Sequence, residues 1–167
     1  MTEKIDSLCA RCAASGYTCC HNTRIILTQG DLARILAVVE DDFYEYVDAG
    51  KAGKRDLETD PVWAGLFVSG RLLRVLRHRP NGSCHFLAAN GCRLTLEARP
   101  LLCRLYPYDY THRSIKGVHA PYCSEPECNN PDLLLSLLGM NRDTAEQWRS
   151  DLYREIEEEQ YLERMDI

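Results

Sequence analysis

Nine cysteines, at positions 9, 12, 19, 20, 84, 92, 103, 123 and 128, constrain this chain more than any other feature. Four of them crowd into the first 20 residues, where apolar side chains are few and Ala, Ser and Thr are common. A segment of that kind cannot order itself by burying a core, so a loop wrapped around a metal is expected over residues 1–22. Cysteine makes up about 5% of the chain, below the ~8–10% of small disulfide scaffolds. The odd count also leaves one thiol over in any all-disulfide scheme. No apolar signal segment follows Met1–Asp6, which points to a reducing, cytoplasmic setting in which clustered thiols bind metal or act catalytically.

Charge and hydropathy narrow the partners. No apolar run approaches the roughly 18–20 residues that cross a bilayer, so no membrane span is expected. The net charge of −5 lies entirely in residues 141–167, where nine acids face four arginines; the preceding 140 residues balance. Nucleic-acid binding needs a basic surplus on one face, and Arg71, Arg74, Arg77 and Arg79 read more simply as a solvated strand or helix face. A protein partner remains open. With 45% hydrophobic residues in 167, one globular domain is expected: a cysteine-cluster region over 1–140 and an acidic helix over 141–167 packed on it.

Turn and periodicity signals give the elements. Arg24 to Leu27 reads as a short strand, and Thr28 to Asp31 has capping-box spacing with Asp in place of Glu. Apolar spacing predicts a helix over 29–39 and a second over 41–49, then a polar, glycine-marked connection over 49–54. Segments 72–77 and 84–87 flank Pro80-Asn81-Gly82 as a candidate hairpin, and Asn90-Gly91 marks another turn. Leu94 to Ala98 suggests one helical turn, and Pro100 a helix start that Tyr106-Pro107 ends. A small hairpin around Lys116-Gly117 is expected within 108–120. Asn130-Pro131-Asp132 and Gly139 bracket a helix, and 142–165 forms a long one with Ala145, Trp148, Leu152 and Ile156 on one stripe. Its acidic faces read as solvated rather than as a docking surface. The fold class is α+β, mainly α with small irregular hairpins, organised around a cysteine metal centre.

Cys9-x2-Cys12 is a chelate pair whose two thiolates can reach one ion. The neighbouring side chains of Cys19 and Cys20 diverge, so that pair can serve one centre from two sides or two separate centres. Cys84, Cys92 and Cys103 add thiols from the middle, and Cys123 and Cys128 from the segment before the last helices. We take Cys9, Cys12, Cys19, Cys20, Cys84, Cys92, Cys103 and Cys123 as candidate ligands. For Cys123 and Cys128 the reading as small buried hydrophobes weighs equally. His21 and His85 adjoin cysteines, but surface or hydrogen-bonded histidine is the simpler account of both.

The chain resembles the YkgJ-type cysteine-cluster family at these residues. The opening Cys9-x2-Cys12-x6-Cys19-Cys20 is followed by Ile26-Leu27-Thr28 and Asp31-Leu32-Ala33-Arg34-Ile35. The middle carries Cys84-His85-Phe86-Leu87, Gly91-Cys92-Arg93-Leu94 and Arg99-Pro100-Leu101-Leu102-Cys103-Arg104-Leu105-Tyr106-Pro107. The gap between Cys12 and Cys19 is longer than is usual in that family. The resemblance implies a zinc- or iron-chelating domain, with an iron–sulfur cluster in flagellin lysine-methylase relatives.

Structural zinc favours two Cys-x2-Cys knuckles and this chain has one, whereas dispersed thiolates suit a [4Fe–4S] cluster. An iron–sulfur cluster is therefore expected ahead of zinc, although both accept soft thiolates. The sequence lacks a phosphate loop, a dinucleotide glycine motif and a Gly-x-Ser-x-Gly elbow. A non-catalytic role in metal handling, electron transfer or structure is expected, with a lysine N-methylase-like transferase as the alternative. Arg99, Arg104 and Tyr106 surround Cys103 in sequence, where they can neutralise thiolates or pair with surface carboxylates.

Overall fold

The computed structural model describes residues 8–15, 18–21, 23–51, 60–66, 70–120 and 126–166. The first element is a helix, α1 (Leu8–Ser15), not the loop expected there. Its alanines are good helix formers and Leu8 gives it one buried anchor, so it can dock without a core of its own. Helix α2 (Gln29–Leu36) starts as its sequence predicts: Thr28 accepts from the Asp31 backbone N–H, and the Asp31 carboxylate accepts from that of Thr28. It stops earlier than predicted, in a turn through Ala37 and Val38.

The predicted second helix is a strand, β1 (Tyr44–Asp48), antiparallel to β2 (Leu72–Leu76) in the register Tyr44↔Leu76. Aromatic and β-branched residues fill Tyr44 to Val47, and strand pairing overrides an apolar spacing that also fitted a helix. On the other side of β2, the Leu27 N–H donates to the Arg74 carbonyl at 2.9 Å and the Leu76 N–H to that of Ile25 at 2.9 Å. The predicted 24–27 strand therefore runs beside β2. The turn at Pro80–Gly82 forms, and the chain pairs across it just beyond the end of β2, at the His78↔Cys84 bridge, where the Arg79 N–H donates to the Ser83 carbonyl at 2.8 Å and the His85 N–H to the Arg77 carbonyl at 3.0 Å. Connection residues 52–54 lie outside the described residues.

Short elements complete the scaffold. Strands β3 (Leu87–Ala88) and β4 (Gly91–Cys92) form the expected Asn90-Gly91 hairpin. After α3 (Pro61–Leu66) and α4 (Leu101–Leu105), strands β5 (Tyr108–Tyr110) and β6 (Ile115–Val118) pair. Their turn lies at 111–114 rather than at Lys116-Gly117, because Gly117 sits inside β6 opposite Asp109. Asn130 and Asn141 cap α5 (Pro131–Leu137) and α6 (Arg142–Met165), and Gly139 (φ 64°) ends the former. Two cores result. One gathers Leu101, Leu105, Trp63 and Tyr153 with the α6 stripe of Ala145, Leu152 and Ile156; the other gathers Leu27, Ile35, Phe43 and Phe86.

The acidic helix is docked by charge as well as by its stripe, which corrects the solvated reading for three of its acids. Glu155 accepts from Arg34 at 2.7 Å and from the Thr28 hydroxyl; Glu159 pairs with Arg74 and accepts from the Gln29 N–H; Glu163 pairs with Arg71 at 2.8 Å. Positions 155, 159 and 163 are one turn apart, so they form a single row facing α2 and β2. Gly30 is glycine because a Cβ there would strike the Glu155 carboxyl. Arg71 and Arg74 are thus partnered by α6, and Arg79 donates to the carbonyls of Leu87 and His85 at 2.7 and 2.9 Å. Glu155→Ala, which strips a charged partner from Arg34 and Thr28, should cost about 2 kcal/mol in urea denaturation. Glu163→Ala, at the half-exposed end of the row, should cost less than about 1 kcal/mol.

Candidate metal centre

Seven of the cysteines, Cys9, Cys12, Cys19, Cys20, Cys84, Cys92 and Cys103, line one cavity of about 1100 Å³, and all are free thiols. They arrive from separate parts of the fold, each fixed by local chemistry. Cys9 and Cys12 stand one helical turn apart on α1, which places both thiols on one side of it. The helix lies against β4 so closely that a Cβ on Gly91 would sit 3.3 Å from the Cys9 Cβ. Gly91 also has φ 106°, a backbone conformation that favours glycine. Arg11 pairs with Glu127 at 2.8 Å, fastening α1 to the Pro126–Asn129 turn that carries Cys128 in sequence. Cys123 lies outside the described residues.

The vicinal pair sits in a tight turn shaped by the buried Thr18. Its hydroxyl accepts from the Cys20 N–H at 2.9 Å, and its carbonyl accepts from the His21 N–H at 3.0 Å. The turn is joined to the middle of the chain where the Cys84 N–H donates to the Cys20 carbonyl at 2.7 Å. Cys92 closes the β3–β4 hairpin, and Cys103 lies in α4. Helix α4 is held by Asp31, whose carboxylate accepts from the Leu101 N–H at 2.9 Å and from Arg34 at 2.7 Å. Sequence reasoning missed Thr18 and took Asp31 only as a cap. A buried carboxylate bonding across 70 positions leaves no local signal beyond the cap itself.

The electrostatics couple the thiols to one another. Burial pushes the Cys84 thiol up to about 11, raises Cys9 and Cys92, and raises Cys103 well above the ordinary thiol value. The negative charge of Cys20 adds to the rise at each of these four. Cys19 donates its thiol proton to Cys20, which raises Cys19 and lowers Cys20, and the Thr18 hydroxyl lowers Cys20 further. Arg99 is the shared counter-charge, lowering Cys9, Cys20 and Cys92 and hydrogen-bonding the last. Arg104 turns instead to the carbonyls of Arg99 (2.9 Å) and Glu97, and lies over the Trp148 ring. The histidines are engaged elsewhere: His21 with Thr18 at 3.2 Å, His85 with Asp41 at 3.1 Å.

A soft cation suits this donor set. Thiols kept protonated by burial and by mutual repulsion ionise favourably once a metal supplies the opposing charge, and binding then releases their protons. Among the described residues, no three side chains stand close enough to hold a single ion without rearrangement. No described helix is long and apolar enough to cross a membrane.

Seven thiols lining one cavity are the kind of donor set a cysteine-based chelating domain would need. Residues 8–128 match the model of the CxxCxxCC family, described as a "Putative zinc- or iron-chelating domain", and the chain belongs to that family. No curated protein and no solved structure matches it. The family assignment bears out the resemblance read from the cysteine and Arg-Pro-x-x-Cys motifs.

The thiols give metal-free protein a distinctive alkaline weakness. Between about pH 9, where unfolded cysteines ionise, and about 11 for Cys84, the folded chain holds protons that the unfolded chain has lost. Stability therefore falls as pH rises through that window. The urea midpoint of chelator-treated protein should drop from about pH 8 to about pH 10, and Cys84→Ser should flatten the slope.

Proposed function

We propose that this chain binds an iron–sulfur cluster, [4Fe–4S] in type, through four thiolates drawn from Cys9, Cys12, Cys19, Cys20, Cys84, Cys92, Cys103 and Cys123. Its role is that of a non-catalytic carrier, electron-transfer or structural centre. The observation that carries the reading is the spread of seven thiols around one cavity, with Cys20 electrostatically coupled to five others. A structural zinc ion draws four ligands to about 2.0–2.3 Å of one point. A cluster takes its thiolates at separate irons and so accepts more widely spaced sulfurs. Arg99 supports the same reading, because a hydrogen bond to a thiolate and a nearby cation stabilise an anionic cluster and tune its potential.

Protein purified without oxygen and reconstituted with iron and sulfide should be brown, with broad visible absorption that bleaches in air. Colourless anaerobic protein holding tightly bound zinc overturns the choice of metal. Zinc found only after aerobic purification does not, because thiolates vacated by an oxidised cluster capture it. The coupling of the thiols also predicts one shared centre. Cys12→Ser and Cys103→Ser should each alter the same absorption bands, and the double variant should lose no more cluster than the worse single one. Additive losses of two separate metals would show two sites.

A further inference from the structure

Cys20 is the thiol whose charge most of the others feel, and two non-cysteine side chains are hydrogen-bonded around it. Thr18 is buried, with 4% of its surface exposed, and lines the same cavity as the thiols. Its Oγ1 accepts from the Cys20 N–H at 2.9 Å, a local turn in which threonine closes on the amide two residues ahead. That contact holds the hydroxyl within hydrogen-bond reach of the Cys20 sulfur as well. The His21 ring stands beside the same oxygen, with Nδ1 3.2 Å from Oγ1. Both neighbours are anchored through their backbones. The Cys20 carbonyl accepts from the Cys84 N–H at 2.7 Å, and the His21 N–H donates to the Thr18 carbonyl at 3.0 Å while His21 bridges to Ser83.

A hydroxyl has one proton to give and two lone pairs to fill. The Cys20 N–H fills one lone pair, so the direction of the His21 bond decides the rest. With Nδ1 bare, Thr18 would spend its proton on a neutral ring. With hydrogen on Nδ1, both lone pairs are filled and the Thr18 proton is left for the Cys20 sulfur. Charge favours the second arrangement. Cys20 receives the hydrogen bond that Cys19 gives, so negative charge gathers on its sulfur. A hydrogen bond to an ionised acceptor is about twice as strong as one between neutral groups. Thr18 also keeps its proton when the site is filled, whereas a thiol loses its own on ligation.

We propose that His21, Thr18 and Cys20 form a relay, His21 Nδ1–H to Thr18 Oγ1 and Thr18 Oγ1–H to the Cys20 sulfur, through which Thr18 sets the reduction potential of the cluster that Cys20 helps to hold. The proposal rests on the iron–sulfur reading, with Cys20 among the four ligands. One-electron reduction adds a negative charge that is shared by the ligand sulfurs. A donor aimed at one of them stabilises the reduced form more than the oxidised form, so removing it lowers the potential. Thr18 is a positioning residue, and His21 acts through it by keeping the hydroxyl proton turned towards sulfur.

Two measurements test the relay, and the first needs no cluster. Nitrogen NMR of zinc-loaded protein, which is diamagnetic, reads which ring nitrogen of His21 bears hydrogen, its signal assigned by its loss in His21→Ala. Hydrogen on Nδ1 is expected; a neutral ring with hydrogen on Nε2 alone overturns the proposal. The second is a redox titration of protein reconstituted with iron and sulfide. Thr18→Val should lower the potential by about 59 mV, a tenfold change in the ratio of oxidised to reduced cluster, with iron content unchanged. Thr18→Ser, which keeps the hydroxyl, should restore the wild-type value. His21→Ala should change that ratio about twofold in the same direction, and it carries the test if Thr18→Val fails to fold. An unchanged potential in Thr18→Val or in His21→Ala, or a Thr18→Ser variant that behaves like Thr18→Val, overturns the proposal alone. Wild-type protein that takes up no cluster overturns it together with the iron–sulfur reading.

Discussion

The carboxylate of Asp31 ties the molecule together. It is fully buried, and it accepts hydrogen bonds from the N-terminal turn of its own helix, from Arg34 and from the first turn of α4. Burial raises its pKa, while the Arg34 guanidinium and the two backbone N–H groups work against that rise. A buried carboxylate is tolerated only when its lone pairs are filled, and here the filling is structural. One donor, Leu101, follows Arg99-Pro100, so the residue that caps α2 also sets the position of the helix bearing Cys103. Arg34, held by Asp31, reaches on to Glu155 and thereby draws α6 to the same point.

From that point the thiols can be understood as a tertiary assembly. Cys103 arrives on a five-residue helix held by a carboxylate from another element. Cys20 and Cys84 are joined by a backbone hydrogen bond, and Cys9 packs closely on Gly91. Each device is local, yet together they bring mostly half-buried thiols into mutual repulsion, an arrangement that disfavours ionisation until a metal balances it. Arg99 reaches three of the thiols at once, which gives the Arg-Pro-x-x-Cys segment an electrostatic as well as a geometric part.

Much of this was legible in the chain. The Thr28–Asp31 box, the Asn-capped α5 and α6, the α6 stripe and the Asn90-Gly91 hairpin all follow from short-range rules, because caps and tight turns are satisfied by near neighbours. The failures share a cause. Residues 44–48 carried a spacing compatible with a helix, and β2 made them a strand. The thiol segment read as a loop became α1, because β4 offered a glycine surface to pack on. Glu155, Glu159 and Glu163 passed for a solvated face, since nothing local reveals that Arg34, Arg71 and Arg74 stand opposite.

The sequence by itself determined that thiols dominate this protein's chemistry and which family it belongs to, since residue identity and spacing carry both. Only the tertiary structure decided that seven of those thiols share one cavity and that Asp31 positions the helix bearing Cys103. The physical reason is range. Caps and knuckles are set by contacts a few residues apart, whereas a cavity is closed by side chains separated by up to 140 positions, from Leu8 to Trp148, which meet only once two cores have packed.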